Sequence, residues 1–230
     1  MRILIAMNTK SFAALAFLVG AVGITLEIMQ IVFYDTHLSM EWSYPSTKWN
    51  YLAFFTVITN LAVDVWLLLV ALSVLFKCKK FFQFLTRPQI QGALVLYITT
   101  VGIIYCTLLF WFIGPYSRTL WWANLIDMWN PLILPLAMIV LWLFAMRISM
   151  HGPAHSPITK RTLAYWMIYP LAYFAISVAR GLVGDWYPYP FLRPSLILFP
   201  VGVAITTTCF LLVGSLIIWL YNRVVYIRVR

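Results

Sequence analysis

Apolar residues run in six long stretches, at about 11–34, 51–76, 90–112, 125–146, 162–183 and 196–220. Short segments separate them, and charge, glycine and proline collect there. Each stretch is near or above the roughly 20 residues a helix needs to cross the hydrocarbon of a bilayer. The pattern predicts an all-α fold, a single domain of six bundled transmembrane helices. The third stretch closes on Gly114-Pro115, and the fourth carries Pro131 and Pro135. Proline removes a backbone donor and frees a carbonyl, which neighbouring helices must cover or which lines a cavity.

Polar residues inside these stretches are few, so each one is informative. The second stretch reads YLAFFTVITNLAVDVWLLLVALSVLF and holds Thr56, Asn60 and Asp64. At about 100° per residue these three fall within about 80° of one another on a helix, with Ala53 on the same stripe. Asp64 is placed near mid-membrane, where an aspartate is costly and persists only if it faces protein or a water-filled space. The first stretch carries Glu27 in its outer half, where it either snorkels, makes a structural hydrogen bond to a neighbouring helix, or belongs to a functional pocket. The fourth opens with Asn124, Asp127 and Asn130. Arg180 lies near the end of the fifth, before Tyr187-Pro188-Tyr189-Pro190, a stiff extended aromatic segment. Its guanidinium either snorkels to lipid phosphate or pairs with Asp64, Glu27 or Asp127. Together Glu27, Thr56, Asn60, Asp64, Asp127, Asn130, Arg180 and Tyr187 are expected to line a polar cavity open to the outer leaflet. The hydroxyls of Tyr97, Thr99, Thr100 and Thr107, and the TTTC run at 206–209, are expected to satisfy helix carbonyls or pack between helices.

Composition fits this picture and excludes a soluble domain. The chain is 63% hydrophobic and 10% charged, with a mean hydropathy of +0.91, far too little charge for a water-exposed surface. The net charge of +10 is explained by placement. With the N-terminus inside, the inner segments hold Arg2, Lys10, Lys77, Lys79, Lys80, Arg87, Arg147, Lys160, Arg161, Arg223, Arg228 and Arg230, which is 12 of the 16 basic residues and none of the acids. That bias predicts both termini in the cytoplasm. It leaves no reason to invoke nucleic acid, and membrane lipids are the expected partners. The segment KCKKFFQFLTRP interleaves lysine with phenylalanine and reads as an anchor at the inner interface. The first apolar run continues for a full span and so reads as a helix rather than a cleavable signal.

No metal or other cofactor is expected. Cys78, Cys106 and Cys209 are isolated, which suggests neither a disulfide framework nor a thiolate site. His37 is a lone loop histidine. His151 and His155 are separated by Gly152-Pro153 and lack a third ligand nearby. No internal repeat or glycosylation sequon occurs.

Hydrolysis would need a nucleophile, a base and donors for the oxyanion. Thr56 and Thr59 are the candidate nucleophiles. No histidine lies within a span, so a buried carboxylate, Asp64 or Glu27, is the only intramembrane base. Asp64 lies about two turns, roughly 12 Å, from Thr56 along one helix.

One set of motifs resembles a known family. The pattern Tyr51-x-x-Phe54-Phe55-Thr56-x-x-Thr59-Asn60-Leu61, the Asn124…Pro131…Pro135…Trp142 span, and Arg180-Gly181…Gly184-Asp185-Trp186-Tyr187-Pro188-Tyr189-Pro190-Phe191-Leu192 are similar to a bacterial six-span integral membrane family (Pr6Pr-type). That family is related to the FAR-17a, or androgen-induced, membrane proteins of animals. The resemblance covers nearly the whole chain and implies the six-span fold and a bacterial cytoplasmic membrane. Animal relatives hydrolyse fatty-acid esters of hydroxy fatty acids with an intramembrane threonine and histidine. Carried over, the threonine position falls at Ala53 and the histidine at Asn130 or Pro131. The expected function is therefore to bind a lipid, fatty-acyl compound or other amphiphile in the outer cavity. The alternatives are an ester hydrolase using Thr56 and a small proton-coupled transporter using Asp64 and Glu27.

Overall fold

The computed structural model describes residues 8–33, 48–109, 121–149 and 157–229. Helix α1 spans Thr9–Val32, and a 3-10 turn over Lys48–Ala53 leads into α2, Phe55–Leu75. The short α3 (Lys79–Leu85) precedes α4 (Pro88–Ile104), which widens into a π-helical turn over Tyr105–Leu109. The fourth crossing is composite: α5 (Trp121–Met128), a π-turn (Trp129–Ile133) and α6 (Leu134–Ser149). Helix α7 covers Lys160–Gly184, and after a 3-10 turn at Pro190–Leu192 comes α8, Leu198–Val229. The protein is an all-α polytopic membrane protein, and among the described residues six helices are long and apolar enough to span a bilayer.

The expected spans reappear with shifted ends. The second α-helix begins four residues late, because the segment up to Ala53 forms the 3-10 turn. In the fourth span Pro131 sits inside the π-turn, the wider winding that absorbs a missing donor. The Gly114-Pro115 break, the three histidines and Arg118 lie outside the described residues.

Helix α2 is the organising element. Its most apolar window is 56% buried, against 22% for α7, so α2 sits within the bundle and α7 at its edge. One side of α2 packs along α1 and another meets α4. The core between them and α6 is built from Phe12, Leu67, Leu96, Ile98, Leu134, Met138 and Leu141, all fully enclosed. Side chains such as Val183 and Ile197 are 92% and 89% exposed. Such an apolar exterior would aggregate in water and is the lipid-facing surface of a bilayer protein.

Polar links between helices satisfy backbone groups that the sequence leaves open. Pro170 inside α7 has no N–H for the Trp166 carbonyl four residues back. The Tyr97 hydroxyl on α4 donates to that carbonyl at 2.7 Å. Trp66 Nε1 donates to the Leu85 carbonyl at 3.0 Å, and Trp166 Nε1 to that of Gln89 at 2.9 Å, tying α3 and α4 to the long helices. The Asn222 amide pairs with both backbone groups of Ile158, each at 2.9 Å.

Helix ends are signed by local chemistry. The Asn8 side chain accepts from the Ser11 N–H at 2.8 Å, capping α1. Lys77, left-handed at φ 57°, ends α2, and the Cys78 N–H returns to the Ser73 carbonyl at 2.8 Å. Helix α3 then exposes Phe81 and Phe84 beside Lys79 and Lys80, with Arg87 over the Phe84 ring at 5.2 Å. Cations and aromatic rings side by side are the make-up of an interfacial segment.

Candidate functional site: a buried carboxyl cluster

Five polar residues from four elements meet inside the bundle. Glu27 comes from α1, Asn60 and Asp64 from α2, Asn130 from the π-turn, and Tyr51 from the 3-10 turn. Glu27 Oε2 accepts from the Tyr51 hydroxyl at 2.8 Å, and Oε1 accepts from the Asn130 amide at 2.9 Å. Glu27, Asn60 and Asp64 are each 0% exposed. Asn60 faces Glu27, and the Asp64 carboxyl is close enough for the two acids to interact electrostatically.

The helical repeat explains this convergence. Asn60 and Asp64 are four apart on α2 and project from one face. The facing stretch of α1 supplies Gly20 and Gly23. A Cβ on Gly23 would lie 2.2 Å from Asp64 Oδ1, and one on Gly20 would lie 2.8 Å from the Asp64 carbonyl oxygen. Only glycine lets the two backbones close around that carboxyl. The π-turn contributes by re-aiming Asn130 inward, where it reaches Glu27.

Hydrogen bonding in the cluster is unevenly met. Both oxygens of Asp64 and the amide oxygens of Asn60 and Asn130 have no hydrogen-bond partner within the protein. A buried polar group left so costs about 1–3 kcal/mol.

A second group lies where α2 begins. Phe54 offers no capping side chain, and the Tyr189 hydroxyl takes that role, accepting from the Thr56 N–H at 3.2 Å. The same hydroxyl lies 2.9 Å from Thr56 Oγ1. Burial pushes the Tyr189 phenol up to about 12, so it stays protonated at neutral pH. Thr59 Oγ1 is 3.1 Å from the Tyr169 hydroxyl, and the Tyr173 hydroxyl donates to the Ala53 carbonyl at 2.9 Å. The Phe55 ring packs on Tyr169, Tyr173 and Phe210.

The residues expected to share one cavity are thus divided. Glu27, Asn60, Asp64 and Asn130 come together. Asp127 is half-buried on α5, three residues before Asn130. Thr56 belongs to the tyrosine group. Arg180 does not pair with Asp64 or Glu27. Its guanidinium donates to Asn50 and lies over the Trp186 ring at 4.7 Å. The reason is reach: Arg180 is exposed near the end of α7, the least enclosed helix, while Asp64 is sealed between α1 and α2. Tyr187 also stands apart, its ring packed on Gly181, where a Cβ would meet it at 2.1 Å. Arg193 lies 6.0 Å from the Tyr187 ring centroid and forms an ion pair with Asp185 at 2.7 Å.

Two contributors escaped the sequence reading. Tyr51 stood only in the family-like motif at the start of the second stretch, and Tyr189 only in the stiff aromatic segment. A tyrosine ring suits the interface while its hydroxyl seeks a buried partner. Compared with known proteins, the chain matches no family model, and no curated protein or solved structure is significantly similar to it.

Proposed function

We propose that this is a bacterial cytoplasmic-membrane protein of the six-span family that its motifs resemble, with both termini inside, and that it binds a lipid or another amphiphile. The head group is recognised by Glu27, Asn60, Asp64 and Asn130. The carrying observation is that Asp64 is fully buried yet neither of its carboxyl oxygens has a hydrogen-bond partner within the protein. A bundle that needed only a core would be served at least as well by apolar residues there. An intramembrane carboxyl that no partner neutralises is the mark of a working site. The orientation is supported by the 12 basic residues gathered in the alternate segments.

Ester hydrolysis at Thr56 has less behind it. The Thr56 hydroxyl meets the Tyr189 phenol, a poor base, and its backbone N–H meets the same oxygen. The Ala53 position offers only a carbonyl, held by Tyr173.

Purified in a mild detergent, the wild type should release an amphiphile into organic solvent at close to one per chain, read by mass spectrometry. Asp64→Asn and Asn130→Ala should carry at least about tenfold less, since each lost charge-assisted contact is worth about 1.5–3 kcal/mol. Wild-type protein free of any amphiphile would end the proposal.

A further inference from the structure

We infer that α3 and its flanks form a docking platform for an anionic phospholipid. Lys77, Lys79, Lys80 and Arg87 hold the phosphate-bearing head group, and Phe76, Phe81 and Phe84 lie against its acyl chains. The platform is separate from the carboxyl cluster and stands whatever that cluster binds.

The helical repeat sorts α3 into three sectors. Leu85 is buried, and Phe82, three residues before it, packs against the hydrophobic core. Phe81 and Phe84, again three apart, are exposed, as is Phe76 at the end of α2. Lys79, Lys80 and Gln83 take the remaining side and are exposed too. A wide apolar arc beside a cationic one suits a helix lying in the plane of the interface. The segment is also fastened in place. Trp66 Nε1 holds the Leu85 carbonyl at 3.0 Å, and Thr86 Oγ1 donates to the Phe82 carbonyl at 2.8 Å. At the left-handed Lys77 the chain turns, and the Lys79 N–H meets the Lys77 carbonyl at 3.0 Å. Three lysines are thereby gathered at one corner, with Arg87 at the other end of α3.

Charge decides which lipid fits. Residues 77–88 contain four cations and no acid. Among the described residues none of the four forms an ion pair. Glu27 and Asp64 are enclosed within the bundle, and Asp185 is bound to Arg193. Asp185 also lies on the opposite side. It follows the end of α7, where Tyr189 caps the start of α2, whereas α3 follows the end of α2. Cations free of carboxylates, set beside rings that reach into lipid, complement a head group with net negative charge. Each such cation near an anionic surface strengthens attachment about fivefold. A phosphatidylcholine head carries its own cation and gains little from them.

The test titrates full-length protein in neutral detergent with phosphatidylglycerol and phosphatidylcholine of matched chains. Native mass spectrometry counts the lipids and the copies of the chain in each complex. Phosphatidylglycerol should bind at least about tenfold more tightly at low salt, and the gap should narrow as salt is raised. Replacing Lys77, Lys79 and Lys80 together (Lys77→Gln, Lys79→Gln, Lys80→Gln) should lose most of that gap and leave phosphatidylcholine binding unchanged. Lys160→Gln with Arg161→Gln removes two cations from the same side of the bundle and should change the gap by no more than about twofold. Phe81→Ser with Phe84→Ser, which keeps every cation, should weaken both lipids about threefold or more. Equal affinity for the two lipids, or a gap that survives loss of the three lysines, would overturn the platform. Equal losses in the triple-lysine and Lys160/Arg161 variants would overturn it as well, since they would mean diffuse charge. So would displacement of the lipid by an equal concentration of glycerol phosphate, which has no chains for the rings. A dimer that forms without phosphatidylglycerol and is lost with the three lysines would assign the face to a second copy and overturn the lipid.

Discussion

Glu27→Leu should destabilise the bundle by about 2–5 kcal/mol, because it strands two buried donors at once. The Tyr51 hydroxyl and the Asn130 amide both end on Glu27 and are themselves enclosed. Each loses its acceptor in the variant. Removing a buried carboxyl offsets part of that cost, which keeps the expected loss below the sum of two charged hydrogen bonds. Glu27→Gln should cost roughly half as much, since one amide oxygen still accepts one donor while its NH₂ confronts the other. A double-mutant cycle sharpens the expectation. Glu27→Leu with Asn130→Leu should be less destabilising than the two single changes added together, because the orphaned amide is gone. Denaturant unfolding in mixed micelles measures all four proteins. Additive losses would mean that Glu27 and Asn130 do not act as a pair.

Gly23→Val should be comparably damaging for a steric reason. A Cβ at Gly23 falls 2.2 Å from Asp64 Oδ1, and all three of its nearest atoms belong to the Asp64 carboxyl group. The space is held by a side chain wedged between α1 and α2, so the helices must part or the carboxyl must leave the cluster. Overpacking of this kind costs about 1–3 kcal/mol, and the added branch places valine at the upper end. Gly184→Ala is the matched control, since nothing lies within 4 Å of a Cβ there. Thermal unfolding should show a clear fall for Gly23→Val and almost none for Gly184→Ala. Equal melting of the two would mean that α1 and α2 do not close tightly around Asp64.

The six crossings were legible from length and apolarity alone, because a bilayer imposes one dimension on every helix. Pro131 announced the irregular fourth span, since a missing donor must be accommodated wherever the chain goes. Asp64 and Asn60 were legible as a pair because their spacing is local and the helical repeat fixes their face. Partners were less so. Whether Glu27 meets Tyr51 or Arg180 depends on which helices adjoin and how far apart they stand, and α7 proved peripheral. The Tyr189–Thr56 bond joins residues 133 positions apart. No period in the sequence encodes it. Gly23 carried a quiet signal, a glycine inside an apolar run, whose meaning required knowing that Asp64 lay opposite.

Photolabelling locates the head-group site most directly. A long-chain amphiphile bearing a diazirine beside its head group would be bound to wild-type protein, irradiated, and mapped by peptide mass spectrometry. The expected cross-links cluster on α1 near Glu27, on the Lys48–Ala53 turn, on α2 between Asn60 and Asp64, and on the Trp129–Ile133 turn. They should be competed away by unlabelled ligand and vanish in Asp64→Asn. Labelling spread over the lipid-facing surface, at Val183 and Ile197 for example, and unchanged by Asp64→Asn, would contradict the assignment of the buried cluster as a binding site.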